Sequence, residues 1–196
     1  MNKTLRTLII VFIAIQLTGI AVVLFIQANL GSDTITVFIE GASKTLGISL
    51  GKASIMYNIV TLLVALCISR NSIGWASVVY ALSVGWFIDI YGYLYSILSI
   101  HSLTFMSRIV YILVGQACLV VAYSLLIKHR EGMNQMDAIA TGISKKTSIG
   151  YKYVRTGMDA VFLVCGWFMG GVVGIGSVLT MMTTGFLVDC ISKKEK

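Results

Sequence analysis

The sequence predicts an all-α, polytopic membrane protein: six transmembrane helices arranged as two inverted three-helix repeats, plus two short amphipathic or re-entrant helices. Three observations carry this. The chain is 57% hydrophobic and 12% charged, with a mean hydropathy of +0.90, whereas soluble domains average about a quarter charged residues. Several stretches are apolar over the roughly 20 residues that a helix needs to cross a bilayer. The second half also repeats the first at an offset of about 100 residues. Ser77, Gly85 and Asp89 recur as Ser177, Gly185 and Asp189; Gly31, Ser43 and Lys44 recur as Gly132, Ser144 and Lys145; Gln16 is echoed by Gln116. One membrane domain, 1–196, thus divides into repeats 1–100 and 101–196.

The first span is expected at Leu8–Ala28. Its basic start resembles a signal peptide, but the apolar run exceeds an h-region of roughly 7–15 residues and no small-x-small cleavage site follows. It reads as a retained helix. Further spans follow at Ala53–Ser69, Gly74–Leu98, Ile109–Ile127, Tyr153–Gly170 and Val172–Ile191. The fifth is the weakest, with Arg155 and Asp159 in its first turns.

Two shorter helical patterns lie between these spans. Ile35, Phe38, Ile39 and Ala42 are spaced i, i+3, i+4, i+7, and Met136, Ile139, Ala140 and Ile143 repeat that spacing 101 residues later. Each opens on an N-cap residue, Asp33 or Asn134, after a glycine-containing break. At 1.5 Å per residue such a helix is roughly 20 Å long, too short to span alone. It either lies at the interface or dips inward. Proline is absent, so glycines and polar insertions must make every break.

Six crossings with a cytoplasmic N-terminus put Lys3, Arg6, Arg70, Lys128, Arg130, Lys145, Lys146, Lys152, Arg155, Lys193, Lys194 and Lys196 inside. Lys44, Lys52 and Arg108 stay outside. Both termini then face the cytoplasm. Eight crossings divide the charges equally well, so length and the charges at Glu40, Lys44, Lys145 and Lys146 decide for six. Three crossings per half invert the second copy, the arrangement that underlies alternating access in many carriers.

The net charge of +7 fits topology and anionic lipid rather than nucleic acid. Cys67, Cys118, Cys165 and Cys190 lie in apolar segments without metal-site or disulfide spacing, and are expected as buried free thiols. His101 and His129 sit in different loops. No catalytic set, metal site or cofactor motif is present, so an enzyme is not expected. Trp75, Trp86, Trp167, Tyr91, Tyr93 and Tyr95 read as belt and packing residues.

Polar residues within apolar segments are the candidates for a substrate or ion site, since ionisable groups in a membrane are costly and often functional. These are Asp89, Asp189, Asn58, Asp159, Arg155, Gln16 and Gln116. Asp89 ends the stripe Ser77, Ala81, Gly85, and Asp189 ends its copy, with an interfacial role as the plainer alternative. Arg155 and Asp159 are spaced for a local ion pair. The half-helix starts Gly31, Ser32, Asp33 and Gly132, Asn134 would present backbone N–H groups and a positive dipole end if they re-enter.

The runs Ala28-Asn29-Leu30-Gly31-Ser32-Asp33, Gly41-Ala42-Ser43-Lys44-Thr45-Leu46-Gly47-Ile48-Ser49-Leu50-Gly51 and Gly85-Trp86-Phe87-Ile88-Asp89 resemble the YczE/YyaS/YitT family of bacterial integral membrane proteins. Ile143-Ser144-Lys145-Lys146-Thr147, Arg155, Gly170-Gly171, Gly174-Ile175-Gly176-Ser177-Val178-Leu179 and Gly185 agree in the second half. The resemblance covers nearly the whole chain. It implies a multi-pass protein of the bacterial cytoplasmic membrane without a settled activity. Many relatives carry proline near the start of the short helix, where this chain has Thr34.

The leading functional expectation is a transporter or permease-like protein for an unknown small solute, working in the lipid bilayer by exchange of inverted repeats. Alternatives are a non-transporting scaffold or regulatory module that docks an acidic partner protein or lipid head groups through its basic inner loop, or the substrate-binding subunit of a multi-component importer; a partner protein or a homo-oligomer is the further partner expected. None of these involves nucleic acid.

Overall fold

The computed structural model describes residues 3–98, 103–128 and 134–183. Among the described residues all regular structure is helical: α1 (Lys3–Ala28), α2 (Thr34–Leu46), α3 (Leu50–Ser69), a 3₁₀ turn (Arg70–Ser72), α4 (Trp75–Ile97), α5 (Phe105–Lys128), α6 (Gln135–Thr147) and α7 (Tyr151–Phe168). A further helix, α8, is described over 175–183.

Helices α1, α3, α4 and α5 are long and apolar enough to cross a bilayer. Of the other two expected spans, α7 is 18 residues long and carries Lys152, Arg155 and Asp159. Its two central charges turn into the protein, where their side chains are 12% and 13% exposed. Only the start of α8 lies within the described residues. The outer surface is apolar: Phe12, Val60, Leu63, Leu82, Trp86, Leu113, Val161 and Trp167 are all exposed. That is the surface of a protein solvated by lipid, since a water-facing domain does not carry so continuous an apolar cover. Cys67 and Cys165 are free but exposed on this surface and Cys118 is half-buried, which corrects the expectation of buried thiols for these three; Cys190 lies outside the described residues.

The core begins with α1 against α5, running in opposite directions. Phe25 packs near Gly115, and Val11 and Ala14 cluster with Ala122 and Leu126. Helix α4 closes on α1 through Tyr80, whose hydroxyl donates to Thr18 Oγ1 at 3.1 Å. Tyr91 donates to Gln16 Oε1 on the same face. Gly51 and Gly85 let α3 and α4 touch backbone to backbone.

The short helices form where the pattern places them, over Thr34–Leu46 and Gln135–Thr147, and they share local geometry. Asp33 accepts from the Thr36 backbone N–H at 3.4 Å, and Asn134 accepts from Met136 at 3.1 Å. At the other end, Ser43 Oγ donates to Ile48 O and Ser144 Oγ to Ile149 O, both at 2.7 Å. Gly47 (φ 65°) and Ser148 (φ 57°) end the helices in the left-handed region.

Their first halves are buried and their last turns exposed. They dip inward rather than lying on the surface. Helix α2 runs beside α7 in the same direction: Thr34 bonds Asp159, Gly41 abuts Gly166, and Thr45 bonds the Met169 carbonyl. Helix α6 runs beside α3 in the same way, from Met136 near Tyr57 to Gly142 against Ile68 and Ser69. Asp33 and Asn134, at the starts of α2 and α6, line the same cavity, while the last turns of both helices are exposed. The two short helices therefore point in opposite directions, with their N-termini toward the middle of the protein.

Candidate functional site

The meeting of those N-termini makes the site. An α-helix leaves its first backbone N–H groups unpaired and carries about half a positive charge at that end. In a protein interior these groups need partners. Asp33 and Asn134, 6% and 7% exposed, supply one each as caps. Gly31 makes the entry to α2 possible. Its φ of 90° suits glycine, and a Cβ there would strike Gly174 and Ser177. The equivalent Gly132 lies outside the described residues.

Asp33 and Asn134 line one cavity of about 30 Å³. Its wall is completed by Thr18, Thr36, Ser54, Tyr57, Asn58, Tyr80 and Tyr123 among apolar side chains. A cavity of this size holds a water molecule or an ion of similar size. Asp33 Oδ1 and the Tyr57 hydroxyl are buried with no hydrogen-bond partner among the described residues. Asn58 donates to the Ser54 carbonyl at 2.8 Å, so its amide stays within α3.

A smaller cavity of about 10 Å³ adjoins it, sharing Asp33, Leu119 and Tyr123 and reaching Thr34, Arg155, Asp159 and Thr180. Here the guanidinium of Arg155 bridges two carboxylates. Its Nη1 donates to Asp137 Oδ1 and its Nε to Asp159 Oδ2 at 3.2 Å. Tyr151 donates to Asp137 at 2.8 Å and Thr34 to Asp159 at 2.8 Å. One buried cation thereby joins α6 to α7, while Thr34 joins α7 to α2. Buried charges survive only when paired and hydrogen-bonded in this way.

Of the expected site residues, Asp33, Asn134, Asn58, Arg155 and Asp159 come together. The i, i+4 pair of Arg155 and Asp159 forms, as the spacing implies. Ser32 is buried one residue before the cap, its hydroxyl without a partner among the described residues. Asp89 stands apart: its two oxygens accept from Ser49 Oγ and the Gly51 N–H, each at 2.7 Å, holding the start of α3. Gln16 and Gln116 bond neighbouring helices, to Tyr91 on α4 and to Thr183 on α8. Asp189 lies outside the described residues.

Asp137 was not among the expected residues, nor were Thr34, Tyr57 and Tyr151. Asp137 had a readable signal, as an acid in the first turn of a helix, set among the apolar Met136, Ala138 and Ile139. The tyrosines had none, because their spacing is that of ordinary packing residues.

The comparisons with known proteins agree with the membrane character of the chain. It is similar to the uncharacterized membrane protein YczE of Bacillus subtilis, 28% identical over 105 residues, which is 54% of this chain and 47% of YczE. An uncharacterized protein of Haemophilus influenzae is 24% identical over 94% of this chain and 82% of its own length. The uncharacterized protein YyaS of Bacillus subtilis is 22% identical over 90% of this chain and 87% of its own. No solved structure matches. The expected kinship with YczE and YyaS therefore holds, and with residues 5–193 matching the family of unknown function DUF6198, the chain belongs to that family.

Proposed function

We propose that the protein is a small-solute carrier of the bacterial cytoplasmic membrane, crossing it six times with both termini inside, and working by alternating access between two inverted three-helix halves. The observation that carries this reading is the pair of capped half-helices that enter from opposite ends and share one buried polar cavity. Broken or half-length helices that meet at mid-depth are how carriers present helix termini to a substrate. The matching caps and matching Ser–Ile closures of α2 and α6 support a duplicated unit, and the meeting of the two helix starts at one cavity supports its inversion. Two nearly equivalent halves supply two conformations of nearly equal energy, one open to each side.

The test is accessibility at the cavity. With the four native cysteines replaced, Asn58→Cys in inside-out and right-side-out vesicles is treated with a membrane-impermeant maleimide. A carrier of this kind exposes that position to either side in turn, so both vesicle types label. Labelling from one side only, or from neither, would overturn the carrier reading.

A further inference from the structure

The central cavity contains an electrostatic mismatch. Three carboxylates, Asp33, Asp137 and Asp159, lie about one guanidinium, Arg155, which is engaged by Asp137 and Asp159. Asp33 is left without a cationic partner among the described residues. The nearby ion pair of Glu40 and Lys44 is self-contained: Lys44 reaches Glu40 Oε1 at 2.6 Å, and Glu40 Oε2 accepts from the Val172 N–H at 3.0 Å. The two helix N-termini together contribute about one positive charge. Counted over the described residues, the centre remains about one positive charge short of neutrality, in a region where uncompensated charge is costly.

Independent of charge, two oxygens are unmet. Asp33 Oδ1 and the Tyr57 hydroxyl, on residues 6% and 9% exposed that line the 30 Å³ cavity, have no hydrogen-bond partner among the described residues. A proton on Asp33 would neutralise the carboxylate but leave the Tyr57 oxygen as it is. An occupant that accepts several oxygens at once meets both requirements. The remaining polar wall, Thr18, Thr36, Ser54, Asn58, Asn134 and the tyrosines Tyr80 and Tyr123, is neutral and oxygen-bearing, which suits a hard cation of low charge. A divalent ion asks for more carboxylate than the cavity offers.

We propose that this cavity binds one small monovalent cation, an alkali ion or ammonium, with Asp33 as its anionic ligand and the Tyr57 hydroxyl as a neutral one. The site stands apart from transport: a protein that binds the ion and moves no solute keeps this inference and loses the carrier reading.

The experiment is a binding measurement on the full chain purified in detergent at constant ionic strength and pH. Sodium, potassium and ammonium chloride are titrated separately against N-methylglucamine chloride, whose cation is too large for the cavity. Thermal unfolding and tryptophan fluorescence are the readouts. At least one small cation is expected to raise the unfolding temperature saturably, with no such response to N-methylglucamine. Asp33→Asn, which keeps an N-cap side chain on α2, is expected to abolish the response, and Tyr57→Phe to weaken it roughly tenfold. Asp89→Asn is expected to leave it unchanged. Equal behaviour in all four salts overturns the proposal, as does a response to pH alone. An unaltered response in Asp33→Asn does so too. Should Asp33→Asn fail to fold, Tyr57→Phe decides: wild-type affinity there rejects the site.

Discussion

Thr34 donates its hydroxyl to Asp159 across 2.8 Å, joining two residues 125 positions apart. The bond ties the first residue of α2 to the middle of α7, and Asp159 passes the connection to Arg155 at 3.2 Å. Replacing Thr34 by Val removes the donor and keeps the shape. A hydrogen bond to a charged group is worth about 1.5–3 kcal/mol, and the Arg155 contact remains, so a loss near the lower end is expected. Thermal unfolding in detergent measures it. Thr34→Pro should cost less than Thr34→Val. Asp33 has ψ 157°, the extended backbone that precedes proline, and the first helical position needs no N–H.

Arg155 is the residue whose loss should be felt most. It compensates Asp137 and Asp159 together, and removing one partner of a buried ion pair costs about 3–5 kcal/mol. Arg155→Leu is expected to lower the yield of folded protein and its unfolding temperature sharply. Adding Asp137→Asn and Asp159→Asn should recover much of that loss, because no carboxylate then remains unpaired at that position. Failure of the triple variant to recover would show that packing of the Arg155 side chain, rather than its charge, holds α6 to α7.

These two bonds also mark where sequence reading reaches its limit. The apolar spacing and Asx caps of α2 and α6 are local signals, and both helices form where those signals put them. Arg155 with Asp159 is local as well, at i, i+4, and could be read directly. The partnership of Arg155 with Asp137 spans 18 residues and a turn, and that of Thr34 with Asp159 spans the chain. Neither leaves a periodicity, since each depends on which helices become neighbours. The crossed packing of α2 on α7 and α6 on α3 brings them together. Asp89 shows the converse: its stripe of small residues pointed to a close helix contact, which exists at Gly85 and Gly51. Its carboxylate serves that contact and lies apart from the central cavity.

Asp89→Ala is accordingly expected to destabilise the start of α3 without touching the central cavity. It removes the acceptors of Ser49 Oγ and the Gly51 N–H. Loss of capping interactions at a helix start costs about 0.5–2 kcal/mol. Hydrogen exchange at residues 50–53 should quicken. Labelling of Asn58→Cys should match that of the parent, which separates a structural acid from a site acid.

The opposed directions of α2 and α6 lead to a result that needs no ligand. Ile48 follows the end of α2 and Ile149 follows the end of α6, each receiving the same serine bond. Helices that enter from opposite ends place those two residues on opposite faces of the membrane. With native cysteines replaced, Ile48→Cys should react with an impermeant maleimide in right-side-out vesicles and Ile149→Cys in inside-out vesicles. Equal cysteine labelling from one side would make the repeats parallel. The short helices would then be full crossings, since four crossings per half return the second copy to the orientation of the first, and exchange between inverted halves would lose its basis.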